Sequence, residues 1–447
     1  MSRFDTVRVA LRESLERFGV PGAAIGIAFE GAEESAGFGV TSIEHPLEVD
    51  AGTLFQIGSI TKTVTGTLAM RLVEQGELDL DVPVRRYIPD LQLADEDVAA
   101  RVTMRHLLTH TGGWFGDYFA DPSRGDDALE RVLPELAELP QLAPLGEIWS
   151  YCNSGFYIAG RVLEILTGKP YESAAREFVL EPLGMTNSFF FPEDVISRRF
   201  AVGHRHEEEQ TVVARPWALP RVASAAGGIV SNVHDLLRYA RIHLGPETGP
   251  VSAESIARMR EPVIETDEPD RTMALTWFMR ELDGVRLAEH GGATNGQISL
   301  FSLVPEAGFA LAILTNHSPA GEQLTLELSR LALRLYLGVE ERDPEPIELA
   351  PDALAEYAGL YTNPFADADL RLEDGRLVEH AIYKAGFPTK DSPPLPPTPP
   401  APLVFYDADR VFVPEGPFKG SRGDFIRDGE GRIAWYRSGG RLHAAPR

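Results

Sequence analysis

Cysteine is almost missing from this chain: Cys152 is the only one among 447 residues. That excludes an intrachain disulfide and a thiolate metal cluster. Positive charge is also scarce. The formal net charge is −25, so a nucleic acid is not an expected partner. Of the 42 basic side chains only five are lysine: Lys62, Lys169, Lys384, Lys390 and Lys419. Long apolar runs are absent. Ala23 to Phe29 is far too short to span a bilayer, so no membrane association is expected. Asp5, Glu13 and Glu16 break up the first apolar positions, which does not fit a signal peptide. A cytoplasmic protein is the expectation. There is no internal repeat, and no G-x-S-x-G elbow surrounds Ser59.

The chain does have enough apolar residues, 43%, for a sizeable core, and enough length for a large and a small domain. Phe4, Val7, Leu11, Leu15 and Phe18 recur at helical spacing, ending at Val20-Pro21-Gly22. Ala23 to Phe29 and Gly37 to Ser42 read as two strands joined by a polar turn. An amphipathic helix with Val64, Leu68 and Leu72 on one side follows Ser59 and stops at Gly76. Short helices and long loops fill 77 to about 270. Val285 to Glu289, Gln297 to Val304 and Phe309 to Leu314 read as three late strands, and Leu324, Leu328, Leu331 and Leu335 as a helix ending at Gly338. The expected fold is α/β (α+β): one antiparallel sheet flanked by helices, with a helical lobe inserted. Residues 339–349 read as a polar, proline-bearing linker between a first domain, 1–338, and a second, 350–447. The second is a small all-β unit. Its runs are Gly359 to Thr362, Leu370 to Leu377, Leu403 to Val413, Asp424 to Arg427 and Ile433 to Arg437, with turn signals at Asp374-Gly375 and Asp428-Gly429. Pro388 to Pro402 interrupts it with a loop expected to be extended and mobile.

The chemistry centres on Ser59 and Lys62. Three residues apart at a helix start, a hydroxyl and an amine share one face, so the amine can take the hydroxyl's proton. An arginine could not, because it stays protonated. The bland alternative is an ordinary helix cap with Lys62 in solvent. A serine nucleophile also needs a proton relay, a group that orients the amine, and donors for an oxyanion. Tyr151-Cys152-Asn153 offers a phenol and an amide. His290-Gly291-Gly292, at a strand end, offers small residues that let an acyl group approach the backbone.

Ser59-Ile60-Thr61-Lys62, Tyr151-Cys152-Asn153 and His290-Gly291-Gly292 in this order resemble the three boxes of the serine beta-lactamase and penicillin-binding-protein superfamily. The tyrosine box points to the branch of class C beta-lactamases, D-Ala-D-Ala carboxypeptidases, D-aminopeptidases and family VIII esterases. The runs Arg105 to Gly113, Glu181 to Met185 and Ala226 to Ser231 strengthen the likeness, which covers about 1–338. The C-terminal unit resembles the lipocalin-like β-barrel appended in some members. The resemblance implies a beta-lactamase-like fold and a serine hydrolase that forms an acyl-enzyme on Ser59. Lys62 and Tyr151 would share the base role, Asn153 would orient, and His290, Gly291 and Gly292 would bind substrate. The backbone N–H groups of Ser59 and Ala293 would form the oxyanion hole. No metal or organic cofactor is implied. The expected partner is a small ester, amide or peptide substrate, with a homo-oligomer left open.

His290 and Gly291 depart from the Lys-Thr-Gly of true beta-lactamases. Gly291 brings no hydroxyl, and a histidine gives a weaker, pH-dependent pull on a carboxylate. This favours an esterase or a D-amino-acid-type peptidase over an efficient beta-lactamase. Acyl transfer by the same acyl-enzyme, a weak beta-lactamase and a non-catalytic penicillin-binding sensor are the other readings. Cationic neighbours such as His290, or burial, are expected to depress the pKa of Lys62. Rival motifs are read as structural. His110-Thr111-Gly112 lies before Tyr151 and after a helix. Tyr361-Thr362-Asn363 lies in the C-terminal unit. His106 and His110 lack the glutamate of H-E-x-x-H. Cys152 is read as packing. The barrel is expected to border the active site, from its own chain or a neighbouring subunit.

Overall fold

The computed structural model describes residues 2–207, 210–245 and 249–445. Helix α1 (Arg3–Phe18) is closed at its start by Ser2 and Asp5 in a capping box and at its end by Gly19 in the left-handed region, ahead of the expected stop. Strands β1 (Gly22–Phe29) and β2 (Ala32–Gly39) form a hairpin. The second strand begins five residues and ends three residues earlier than its sequence suggests. Glu30 and Gly31 both have positive φ, 52° and 81°, which makes the two-residue turn that binds β2 directly to β1. β2 is an exposed edge strand and so lacks the apolar alternation that marks strands in a sequence.

Helix α2 (Thr61–Glu74) follows a single 3₁₀ turn at Gly58–Ile60. It is not amphipathic as expected: every residue from Thr61 to Met70 is buried. The threonines make this possible by satisfying their hydroxyls internally. Thr65 Oγ1 bonds Tyr171 Oη and the Ala225 carbonyl, each at 2.7 Å, and Thr67 Oγ1 bonds Tyr239 Oη at 2.9 Å. Helices α3 (Asn153–Thr167) and α4 (Val233–Leu244) complete the lobe around it.

The late strands are β3 (Ile264–Glu265), β4 (Arg271–Met273), β5 (Phe278–Leu282), β6 (Val285–Thr294), β7 (Gln297–Val304) and β8 (Phe309–Thr315), followed by α5 (Ala320–Leu337). They join the early hairpin in one eight-stranded antiparallel sheet of order β2-β1-β8-β7-β6-β5-β4-β3. The short strands β3 to β5 are additions to the expected set. The sheet separates two cores by simple alternation. Ile25, Ile27, Leu311 and Ile313 face α1 and α5, meeting Leu11, Leu324 and Leu328. Ala24, Ala28, Ala310 and Ala312 face the lobe, where their small size admits α4 through Val233 and Leu237.

The C-terminal unit is a closed antiparallel barrel of eight strands: β9 (Gly359–Thr362), β10 (Ala366–Glu373), β11 (Arg376–Tyr383), β12 (Ala401–Asp407), β13 (Arg410–Phe412), β14 (Arg422–Arg427), β15 (Ile433–Ser438) and β16 (Arg441–Ala444). Two expected runs are hairpins rather than single strands: Leu370 to Leu377 folds at Asp374-Gly375, and Leu403 to Val413 folds at Ala408-Asp409. β16 was not expected. Its interior is filled by Tyr361, Phe405, Phe425 and Tyr436, with the last two rings stacked at 4.7 Å. The start of the proline-rich loop is held against the lobe, where Lys390 bonds Phe119 O, Tyr118 Oη and Glu135.

Candidate active site

The 3₁₀ turn before α2 presents Ser59, half-buried, at the helix N-terminus. One turn on, Lys62 is completely buried. Its Nζ lies 3.2 Å from Ser59 Oγ, 2.7 Å from Asn153 Oδ1 and 2.7 Å from the Ala226 carbonyl. Burial, reinforced by the charge of Arg441, pushes the Lys62 pKa well below its usual value. A neutral amine has two N–H donors and one lone pair. In that neutral form the two carbonyl oxygens would take the donors and leave the lone pair for the Ser59 hydroxyl.

The orientation of that amine is passed along a chain of side chains. Asn153 donates through Nδ2 to Asp117 Oδ1 at 2.6 Å, which turns its Oδ1 toward Lys62. Asp117 in turn accepts from Arg441 Nε at 2.9 Å. Arg441 opens barrel strand β16, so the barrel reaches this site within its own chain. The two-residue turn Gly439-Gly440, both with positive φ, makes the approach possible. Gly440 accepts from the Tyr151 backbone N–H at 2.8 Å, and a side chain there would strike Trp149. The Arg441 guanidinium lies 4.6 Å over the Tyr151 ring.

Tyr151 is buried and stacked 4.2 Å from His110, and its hydroxyl has no partner within hydrogen-bond geometry among the described residues. Burial raises its pKa, opposed by the neighbouring Ser59 hydroxyl, so the phenol keeps its proton at neutral pH. His110 accepts from the Cys152 backbone N–H at 2.9 Å, while His106 closes a capping box with Thr103. Each histidine is thus engaged in a hydrogen bond within the chain. Among the described residues, no group of three or more His, Cys, Asp or Glu is placed to hold a metal ion. Burial raises the Cys152 thiol to about 11, and Tyr361 lies in the barrel core.

The third wall is strand β6. Its pairing with β5 stops at Glu289, but its pairing with β7 continues to Thr294. One backbone edge of 290–294 is thus open beside the Ser59 turn. Ala293 N lies 2.8 Å from where a Cβ on Gly58 would sit. A Cβ on Gly292 would collide with Ile57 O and Ser299 Oγ, which themselves bond at 2.8 Å. Gly292→Ala is therefore expected to push the strand off the turn and lower kcat/KM about 100-fold, the scale of a small misplacement of reacting groups. Steady-state kinetics on an aryl ester would show it, and an unchanged rate would mean that the strand does not position the site.

A serine, a buried amine, a buried phenol and an open strand edge now meet in one place, and the sequence model of the Beta-lactamase family matches residues 7–334. The chain belongs to this family. Penicillin-binding protein 4 of Amycolatopsis lactamdurans is 36% identical over 374 residues, covering 80% of this chain and 96% of that protein. The structure of SurE with D-Leu is similar at TM-score 0.76 and 25% identity, over 99% of each chain. A D-stereospecific amidohydrolase from Streptomyces sp. is similar at TM-score 0.60 and 25% identity, over 74% of this chain and 98% of its own. Family members of this kind are serine hydrolases.

One expectation about this beta-lactamase-family site is corrected. His290 is not a cation beside Lys62, nor a pH-dependent one near neutrality. It is almost fully buried between Tyr151 and Phe278, and burial lowers its pKa to about 3. The cation whose charge adds to burial in lowering Lys62 is Arg441. His243, buried against Tyr239 and Trp277, is also lowered to about 3. Both fold neutral, whereas unfolded histidine takes a proton near pH 6.5. Their stabilisation is complete above that pH and falls as the pH drops toward 3, by up to about 1.4 kcal/mol per pH unit for each group. The melting temperature should thus be lower at pH 5 than at pH 7. An equal value would mean that the imidazoles are accessible to protons in the folded state.

The sequence reading missed Asp117, Arg441, the Ala226 carbonyl and the support from His110. The Gly439-Gly440 pair, a two-residue turn signal between two apolar runs, could have revealed β16 and with it Arg441. Asp117 has no comparable signal.

Proposed function

We propose that this protein is a serine hydrolase that cleaves ester or amide bonds of small substrates through an acyl-enzyme on Ser59. The observation that carries the reading is the position of Lys62 Nζ, 3.2 Å from Ser59 Oγ and fixed by two carbonyl oxygens at 2.7 Å. Ser59 attacks the carbonyl carbon as its proton passes to Lys62. The oxyanion is held by the backbone N–H groups of Ser59 and Ala293, aided by the dipole of α2. Tyr151 gives its proton to the leaving oxygen or nitrogen, that bond breaks, and Lys62 returns a proton to Tyr151. In deacylation a water loses its proton through Tyr151 to Lys62 as it attacks. The bond to Oγ then breaks and Ser59 recovers a proton from Lys62. Each cycle returns every group to its starting state.

The buried, neutral His290 and the bare backbone of Gly291 offer no cation and no hydroxyl to a beta-lactam carboxylate. The SurE structure with D-Leu and the D-stereospecific amidohydrolase support esters and amides of D-amino acids as the substrate class. A panel of aryl esters, D- and L-amino-acid p-nitroanilides and nitrocefin tests this. Esters and D-anilides should turn over faster than L-anilides and nitrocefin. Nitrocefin turnover as fast as that of the esters would overturn the preference. No turnover, with stable covalent labelling of Ser59 by penicillin, would favour a sensor instead.

A further inference from the structure

A cavity of about 340 Å³ lies where the lobe meets the barrel. The lobe supplies Phe115, Phe119 and Leu139, and the barrel supplies Phe365. Phe119 meets Phe365 edge-on at 6.0 Å and Phe387 at 4.9 Å, so the aromatic wall exists only when the barrel is docked. Asp117 forms part of the lining. Its Oδ1 is the acceptor for Asn153, whose other end holds Lys62. The Asp117 carboxylate and the Asn153 amide therefore stand between the cavity and the reactive amine.

The polar groups of the lining decide what fits. Asp117 is matched by Arg441, and Glu135 by Lys390. The Lys390 ammonium is already held by Glu135 and Tyr118 Oη, each within 3 Å. Glu138 adds another carboxylate. An entering carboxylate would meet Glu138 beside two ion pairs whose cations are already engaged, whereas an apolar ring would meet aromatic walls.

We propose that this cavity is a specificity subsite for an aromatic or large aliphatic substrate side chain that carries no negative charge. The proposal rests on the Ser59 hydrolase reading for its role in turnover, but the subsite can be tested without turnover. In Ser59→Ala protein, phenethylamine should bind saturably by isothermal titration and phenylacetate at least tenfold more weakly. Phe365→Ala should weaken phenethylamine at least tenfold, with Phe365→Leu as the milder variant if alanine loosens the barrel. Equal affinity for the two probes, no saturable binding, or no effect of either variant would overturn the subsite. In active protein, the ratio of kcat/KM for p-nitrophenyl phenylacetate to that for p-nitrophenyl acetate should fall about tenfold in Phe119→Ala. An unchanged ratio with turnover intact would overturn the subsite's role in selectivity. Failure to hydrolyse either ester would instead count against the Ser59 reading, and the titration would still decide the cavity.

Discussion

Ser59→Ala is expected to abolish ester turnover and to prevent covalent capture by an activated phosphonate, detected as the loss of the mass adduct. Residues that act as one unit in a serine enzyme each carry much of its rate, so the loss should be roughly four orders of magnitude or more. Lys62→Arg should be nearly as damaging. A guanidinium keeps its proton and has no lone pair to accept one from the Ser59 hydroxyl. It would also place a fixed charge in a site where Lys62 is completely buried. Phosphonate capture persisting in Ser59→Ala would reject Ser59 as the nucleophile. Full activity in Lys62→Arg would reject a neutral amine as its base.

The second large effect is expected at a residue more than 370 positions away along the chain. Arg441→Ala should lower kcat about 100-fold, the scale of a misplaced catalytic group, because Asp117 loses the partner that fixes it and Asn153 no longer holds Lys62 in place. The pH profile separates this from a merely structural loss. Arg441 lowers the Lys62 pKa and Asp117 raises it. Removing the cation leaves the carboxylate unopposed, so the Lys62 pKa must rise. A larger share of the amine is then protonated at any given pH, and the acid limb of kcat/KM moves to higher pH. Arg441→Lys should restore part of the rate, and the exposed Arg432 provides a control that should change nothing. A lower rate with an unmoved acid limb would mean that Arg441 acts only by docking the barrel.

The elements most legible in the sequence are those whose pattern is local. Helix α1 and the strands Gln297–Val304 and Phe309–Thr315 were readable from apolar spacing, because each buries one continuous face or core. Helix α2 differs in kind from the amphipathic helix its sequence suggests. Its threonines look polar in a sequence, and only their bonds to Tyr171, Tyr239 and Ala225 make them core residues. β2 lies earlier than its sequence suggests because an exposed edge strand carries no apolar signal, and β16 carries a single large apolar residue, Leu442. His110, set aside as a third-box rival, proved to be the ring that supports Tyr151.

The sequence alone determined which functional groups are available. A serine three residues before a scarce lysine, a tyrosine two before an asparagine and a histidine followed by two glycines are matters of residue type and local spacing. The tertiary structure decided how those groups behave. Whether Lys62 is charged depends on burial and on a guanidinium from the far end of the chain, and whether His290 is a cation depends on the rings packed around it. Protonation follows from the surroundings in space, and distance along a chain does not specify those surroundings.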